Sequence, residues 1–166
     1  MANPKLIALI LGVVVALAAA SAGAQAPPPP PPYGPPIGLD MAKKAMAGAE
    51  AEARKNGWPV VIVIVDSGGN LVMLQRLDNA QLGSIEVARQ KAHTAVAYKR
   101  PTKVFQDLIS QGGGNLRLLK LPEGASVLEG GVPIVVGGAI VGAIGVSGVT
   151  SQQDAQTAQA GADTLK

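Results

Sequence analysis

The sequence predicts an α+β domain in which one antiparallel sheet of about five strands carries helices on both faces. Three observations support this. Residues 60–65 are six consecutive β-branched side chains, Val-Val-Ile-Val-Ile-Val, the pattern of a strand buried on both sides. Residues 130–148 read as a hairpin, with β-rich stretches at 132–136 and 139–146 joined by Gly137-Gly138, which can take the positive φ of a tight turn. Alanine-rich stripes at helical spacing flank these strands. Strands joined by hairpins pair antiparallel, and a strand apolar on both faces needs cover on both.

The amino-terminal third stands apart from that domain. Lys5 precedes an uncharged apolar run, residues 6–20, that ends in small side chains. A membrane-spanning helix wants about 20 apolar residues, so residues 1–24 read as a secretory signal cleaved after Ala22 or Ala24. Cleavage after Ala26 would put Pro27 first, and its fixed φ and missing N–H suit an extended protease complex poorly. The mature chain is expected to be periplasmic or secreted, with no stable membrane span. Residues 25–36, with six consecutive prolines and then Tyr33-Gly34-Pro35-Pro36, form an extended, semi-rigid spacer. Residues 37–166 are the domain, and about 130 residues are enough for one core.

Within the domain, residues 39–56 form a helix with Ala42, Ala45, Met46, Ala49 and Ala53 on one face, stopped by Asn56-Gly57. The doubly buried strand follows. Residues 66–70, Asp-Ser-Gly-Gly-Asn, turn the chain into a second strand at 71–76. A second helix is N-capped by Ser84, buries Ile85, Ala88, Ala92, Ala95 and Val96, and ends before Arg100-Pro101. Thr102 caps a short helix at 103–110, released by Gly112-Gly113-Gly114. Residues 115–129 read as loop with a short strand near 126–128. The last helix starts at Ser151, with Ser151 and Asp154 as a capping pair and a narrow stripe of Ala155, Ala158, Ala162 and Leu165. Glycines inside a strand mark a close approach of another backbone or a ligand. The small stripe of the last helix is the surface expected to pack on Gly142 and Gly145.

Composition excludes several function classes. The chain of 166 residues has no cysteine, which removes disulfides, thiolate metal sites and cysteine nucleophiles. Its formal net charge is only +3 and its aromatic residues are few, so nucleic acid is not an expected partner. Ser147 lacks the glycine spacing of a nucleophile elbow. Gly142, Gly145 and Gly148 have neither dinucleotide spacing nor an acidic ribose partner downstream, and residues 112–114 lack a phosphate-loop lysine. No catalytic constellation stands out. An anion at the glycine-rich strand and the last helix start is one alternative, in a small-metabolite binder or an enzyme.

Five blocks in order carry a resemblance: Val65-Asp66-Ser67-Gly68-Gly69-Asn70-Leu71; Arg76-Leu77-Asp78-Asn79-Ala80; Lys91-Ala92-His93-Thr94-Ala95 with Pro101-Thr102; Gly130-Gly131-Val132-Pro133-Ile134; and Gly142-Ala143-Ile144-Gly145-Val146-Ser147-Gly148, closed by Asp154 and Ala160-Gly161. Residues 37–166 thereby resemble the GlcG/HbpS family of haem-binding or haem-degrading domains, and are similar to the carboxy-terminal domain of PduO-type proteins. The resemblance implies a profilin-like three-layer α/β/α sandwich, a homo-oligomer and haem as ligand. It also implies, for exported members, a haem-sensing accessory role beside an envelope sensor kinase.

Against that expectation, His93 is the sole imidazole available to a haem iron. It lies about 140° around the helix from Ala88, on the flank of the buried stripe. Thr94 and Tyr98 are the neighbouring oxygen candidates. Lys91, Lys99, Arg100 and Lys103 crowd the end of this helix and are the cations expected to neutralise haem propionates, Arg100 in bidentate fashion. Asp66, Asp78 and Asp154 read as turn formers and a helix cap.

Overall fold

A computed structural model describes residues 28–122 and 124–166; the expected signal peptide lies outside them. The elements are α1 (Leu39–Asn56), β1 (Val61–Asp66), β2 (Leu71–Arg76), α2 (Ser84–Ala97), α3 (Lys103–Ser110), a 3₁₀ helix (Gly113–Lys120), β3 (Gly131–Val136), β4 (Ala139–Ser147) and α4 (Ser151–Asp163). The strands form one antiparallel sheet in the order β2-β1-β4-β3. Among the described residues no helix is long and apolar enough to cross a membrane.

The expected three layers are present. Ile62, Ile64, Ile134, Ile144 and Val146 face α1 and α4 on one side of the sheet. Val61, Val63, Val65, Ile140 and Ala143 face Ala88, Ala92, Ala95 and Val96 of α2 on the other. Alternation along β1 thus feeds both cores, which is why residues 60–65 carry no polar side chain.

The sheet has four strands where about five were expected. No strand forms at residues 126–128, because side chains satisfy that segment's backbone: the Ser126 N–H donates to Thr94 Oγ1 (2.8 Å) and the Glu129 N–H to Gln106 Oε1 (2.9 Å). The preceding stretch, read as loop, is a 3₁₀ helix over Gly113–Lys120.

Two expected caps, Ser84 and Ser151, are placed differently, and Thr102 holds the N-cap position of α3 with its hydroxyl engaged elsewhere. Ser84 is inside α2 and buried, within 3.3 Å of the Ser147 hydroxyl. Thr102 Oγ1 accepts the Gly131 N–H (2.8 Å) at the edge of β3. The capping box of α4 is Thr150 with Gln153, one residue before the expected pair, which releases Asp154 for another contact.

The glycine expectation also needs correcting. A Cβ on Gly145 would run into the Ala88 carbonyl oxygen and the Ala92 amide of α2, so α2 is the helix that needs this glycine. At Gly142 the obstacle is the Val65 carbonyl of β1. The small residues of α4 instead let it approach α1, where a Cβ on Gly161 would meet the Ala45 carbonyl oxygen at 2.7 Å.

Residues 32–37 lie against the sheet. β1 pairs β4 only as far as Gly142, so residues 139–141 of β4 are open on that side. The Ile140 N–H donates to the Pro32 carbonyl, the Gly34 N–H to Ile140 O and the Ile37 N–H to Val141 O, each at 2.8 Å. Tyr33 and Ile140 form a parallel bridge.

Candidate functional site

α2 is the centre of the candidate site because its turns face three different surfaces. His93 is exposed on its outer flank, and no hydrogen bond holds its ring among the described residues. The ring stands over the β1–β2 turn: a Cβ on Gly69 would come within 3.1 Å of Cδ2 and 3.4 Å of Nε2. That turn is tied by Asp66, whose Oδ1 accepts the N–H groups of Gly68 (2.8 Å) and Asn70 (2.9 Å). Burial pushes the Asp66 carboxyl up, but the hydrogen bonds from Asn70, Gly68 and Gly69 together outweigh it and hold the group below its usual range. Asp66 is thus a turn former, as the sequence indicated.

Beside His93 the sheet is uncovered. Leu71 and Leu74 pair with Val65 and Val63, so they share the face that α2 covers elsewhere. α2 packs over β4, β1 and β3, whereas β2 is packed by α1 from the opposite side. Leu71 and Leu74 therefore remain 55% and 40% exposed.

The other predicted residues have partners of their own. Thr94 is fully buried and its hydroxyl oxygen is occupied by the Ser126 N–H. Tyr98 stacks edge-on against Phe105, with ring centroids 5.3 Å apart. Lys99, in left-handed backbone at φ 55°, holds its ammonium 4.1 Å from the centroid of the Tyr33 ring. The exposed Arg100 donates to the Tyr98 carbonyl (3.0 Å). Lys99 and Arg100 share a cleft of about 510 Å³ with Pro28, Pro29, Pro30 and Val104. Lys103 pairs with Asp107 at 2.8 Å on the surface of α3.

Lys91 does not belong to that cationic cluster. It is 1% exposed, and its Nζ donates to Asp154 Oδ2 (2.7 Å) and to the Val146 carbonyl (3.0 Å). Gly130 closes over it: a Cβ there would come within 2.8 Å of Nζ. Burial pushes the Lys91 ammonium down against the pull of Asp154 and Glu129, and pushes the Asp154 carboxyl up against the pull of Lys91. This pair joins α2, β4 and α4 across 63 residues of sequence. The available hint was position, since Lys91 lies one turn from Ala88 and Ala95 on the buried stripe.

At the alternative anion site α2 lies on Gly145 and the first turn of α4 already holds the Asp154 carboxylate, which accepts the Val149 N–H (3.2 Å); a cleft of about 360 Å³ stays open between Gly130–Val132 and Gln152, Ala155 and Gln156.

Comparison with known proteins places this geometry. A family model described as haem degrading protein HbpS-like matches residues 37–163. The chain belongs to the HbpS-like family. It is 42% identical to protein GlcG of Escherichia coli K12 over 111 residues, 67% of this chain and 81% of that one. A 15.0 kDa protein from the dhaT-dhaS intergenic region of Citrobacter freundii is 36% identical over 129 residues, 76% of this chain and 90% of that protein. Among solved structures, a double mutant of Streptomyces reticuli HbpS superposes with a TM-score of 0.72 at 33% identity, over 89% of this chain and 95% of that one. A PduOC:haem complex superposes with a TM-score of 0.72 at 28% identity, over 79% of this chain and 96% of that one.

Proposed function

We propose that this HbpS-like protein binds haem, with His93 as an iron ligand and Arg100, Lys99 and Lys103 as partners for the propionates. The observation that carries the reading is His93 itself: an exposed imidazole, free of protein hydrogen bonds among the described residues, in a chain whose structural relatives include a haem complex. The surroundings fit the group. Haem has apolar faces, and Leu71 and Leu74 offer uncovered apolar surface on the sheet next to α2. Its edge carries two carboxylates, and the Arg100 guanidinium suits a bidentate contact. The surface pair between Lys103 and Asp107 costs little to exchange for another carboxylate. Thr94 and Tyr98 serve the fold in this reading, one as an acceptor and the other in a ring stack. Bound haem supplies a redox-active iron; the chain's residues supply its attachment and orientation.

The wider reading is an exported homo-oligomer, periplasmic or secreted, acting as a haem-sensing accessory protein beside an envelope partner such as a sensor kinase. The pattern of residues 1–24 supports export. Titration of the purified protein with haemin tests the ligand: a saturable Soret shift is expected, and its absence refutes haem binding. His93→Ala should then alter the iron spectrum while leaving the thermal melt within about 0.5 kcal/mol of wild type, as for other surface substitutions. An unchanged spectrum removes His93 as a ligand.

A further inference from the structure

We propose that residues 28–37 are a displaceable strap that controls access to the cationic side of the haem site; this rests on the haem reading above. Backbone hydrogen bonds to β4 hold the strap at Pro32, Gly34 and Ile37, and none holds residues 28–30 among the described residues. Ile37 is 4% exposed and its N–H is bonded to β4. At the other end Pro28, Pro29 and Pro30 have no N–H to donate and form one wall of the Lys99–Arg100 cleft.

Between these ends Tyr33 is the latch. Its hydroxyl donates toward the Val96 carbonyl (2.8 Å), with the Ala97 carbonyl at 3.2 Å; both belong to the last turn of α2, where the Val96 carbonyl also accepts the Lys99 N–H at 3.3 Å. Its ring sits under the Lys99 ammonium. Tyr33 nevertheless remains 47% exposed, so releasing it uncovers little additional apolar surface. The next residue allows the hinge: Gly34 packs where a Cβ would come within 2.9 Å of Ala139 Cβ, and glycine turns freely once lifted from the sheet.

The strap and a propionate compete for the same group. A carboxylate attracts an ammonium more strongly than an aromatic ring does, so a haem propionate arriving at Lys99 draws the cation off Tyr33 and weakens the latch. The strap is then held by the Tyr33 hydroxyl, by packing and by the Pro32 and Gly34 backbone bonds to Ile140. In the closed state the strap keeps the Lys99 ammonium on the Tyr33 ring; in the open state Lys99 joins the exposed Arg100 in facing the ligand.

Haemin binding followed by stopped-flow Soret absorbance tests this. Tyr33→Ala should speed haemin association and tighten binding about two- to fivefold, the factor corresponding to one exposed cation–π contact. Tyr33→Phe, which keeps the ring over Lys99 and removes the hydroxyl, should fall between Ala and wild type, and protease cleavage within the strap should increase in the order wild type, Phe, Ala. Unchanged or weakened haemin binding in a folded Tyr33→Ala protein overturns the gate while leaving the haem reading intact, since His93→Ala tests that separately. No saturable haemin binding to wild type or to Tyr33→Ala overturns both.

Discussion

Asp154→Ala removes the partner of an ammonium that is 1% exposed. What remains for Lys91 Nζ is one carbonyl, that of Val146 at 3.0 Å, with Glu129 as a more distant negative charge. A buried charge stripped of its counter-ion costs about 3–5 kcal/mol. Domains of this size have roughly 5–15 kcal/mol of stability in total, so the single variant should lose a large share of it. Lys91→Met should be comparably destabilising, because it leaves the Asp154 carboxylate buried with backbone donors alone, those of Val149 (3.2 Å) and Gly148. The double variant Lys91→Met/Asp154→Leu should recover most of the loss, since well-packed apolar side chains replace a buried pair at little or no net cost. Urea unfolding followed by circular dichroism measures all three, with the midpoint falling in the single variants at constant slope. A single-variant loss below about 1 kcal/mol, typical of exposed pairs, would refute the argument, as would a double variant worse than either single one.

Two further outcomes follow from the packing and the turn. Gly145→Ala forces a methyl into the α2 backbone at Ala88 and Ala92, so α2 must lift from the sheet; a loss of about 1–3 kcal/mol is expected in thermal unfolding, and a melt equal to wild type would show that α2 yields freely. Asp66 has its folded pKa held below the unfolded value, so its contribution is present above that value, near 3.8, and is lost as pH falls through the lower folded value. Asp66→Asn should therefore weaken the protein by about 1 kcal/mol at pH 7, after allowance for solvent screening, and by less at pH 3; an equal loss at both pH values, measured by urea unfolding, would contradict the assignment.

Much of the architecture was legible because it is local. Six β-branched residues in succession, a Gly-Gly turn and stripes of alanine at helical spacing state which segments extend, turn or coil, and which faces are apolar. The five ordered blocks likewise pointed to the family that the matching model assigns to residues 37–163. His93 on the flank of α2 follows from helical geometry alone.

What the tertiary structure decided is which surfaces meet. A hydroxyl before a helix has the same appearance in sequence whether it caps that helix or, like Thr102 Oγ1, accepts the N–H of Gly131, 29 residues away. A glycine in a strand announces a close approach without naming the visitor, and α2 rather than α4 came to Gly145. Lys91 looked like one of several cations near a helix end, and Asp154 like a cap; only the packing of α2, β4 and α4 brings them to 2.7 Å in a space closed to water. Local periodicity reports which side of an element is buried, because a residue's face depends on the backbone repeat. The partner across that interface depends on chain folding over tens of residues, and no short stretch of sequence encodes it.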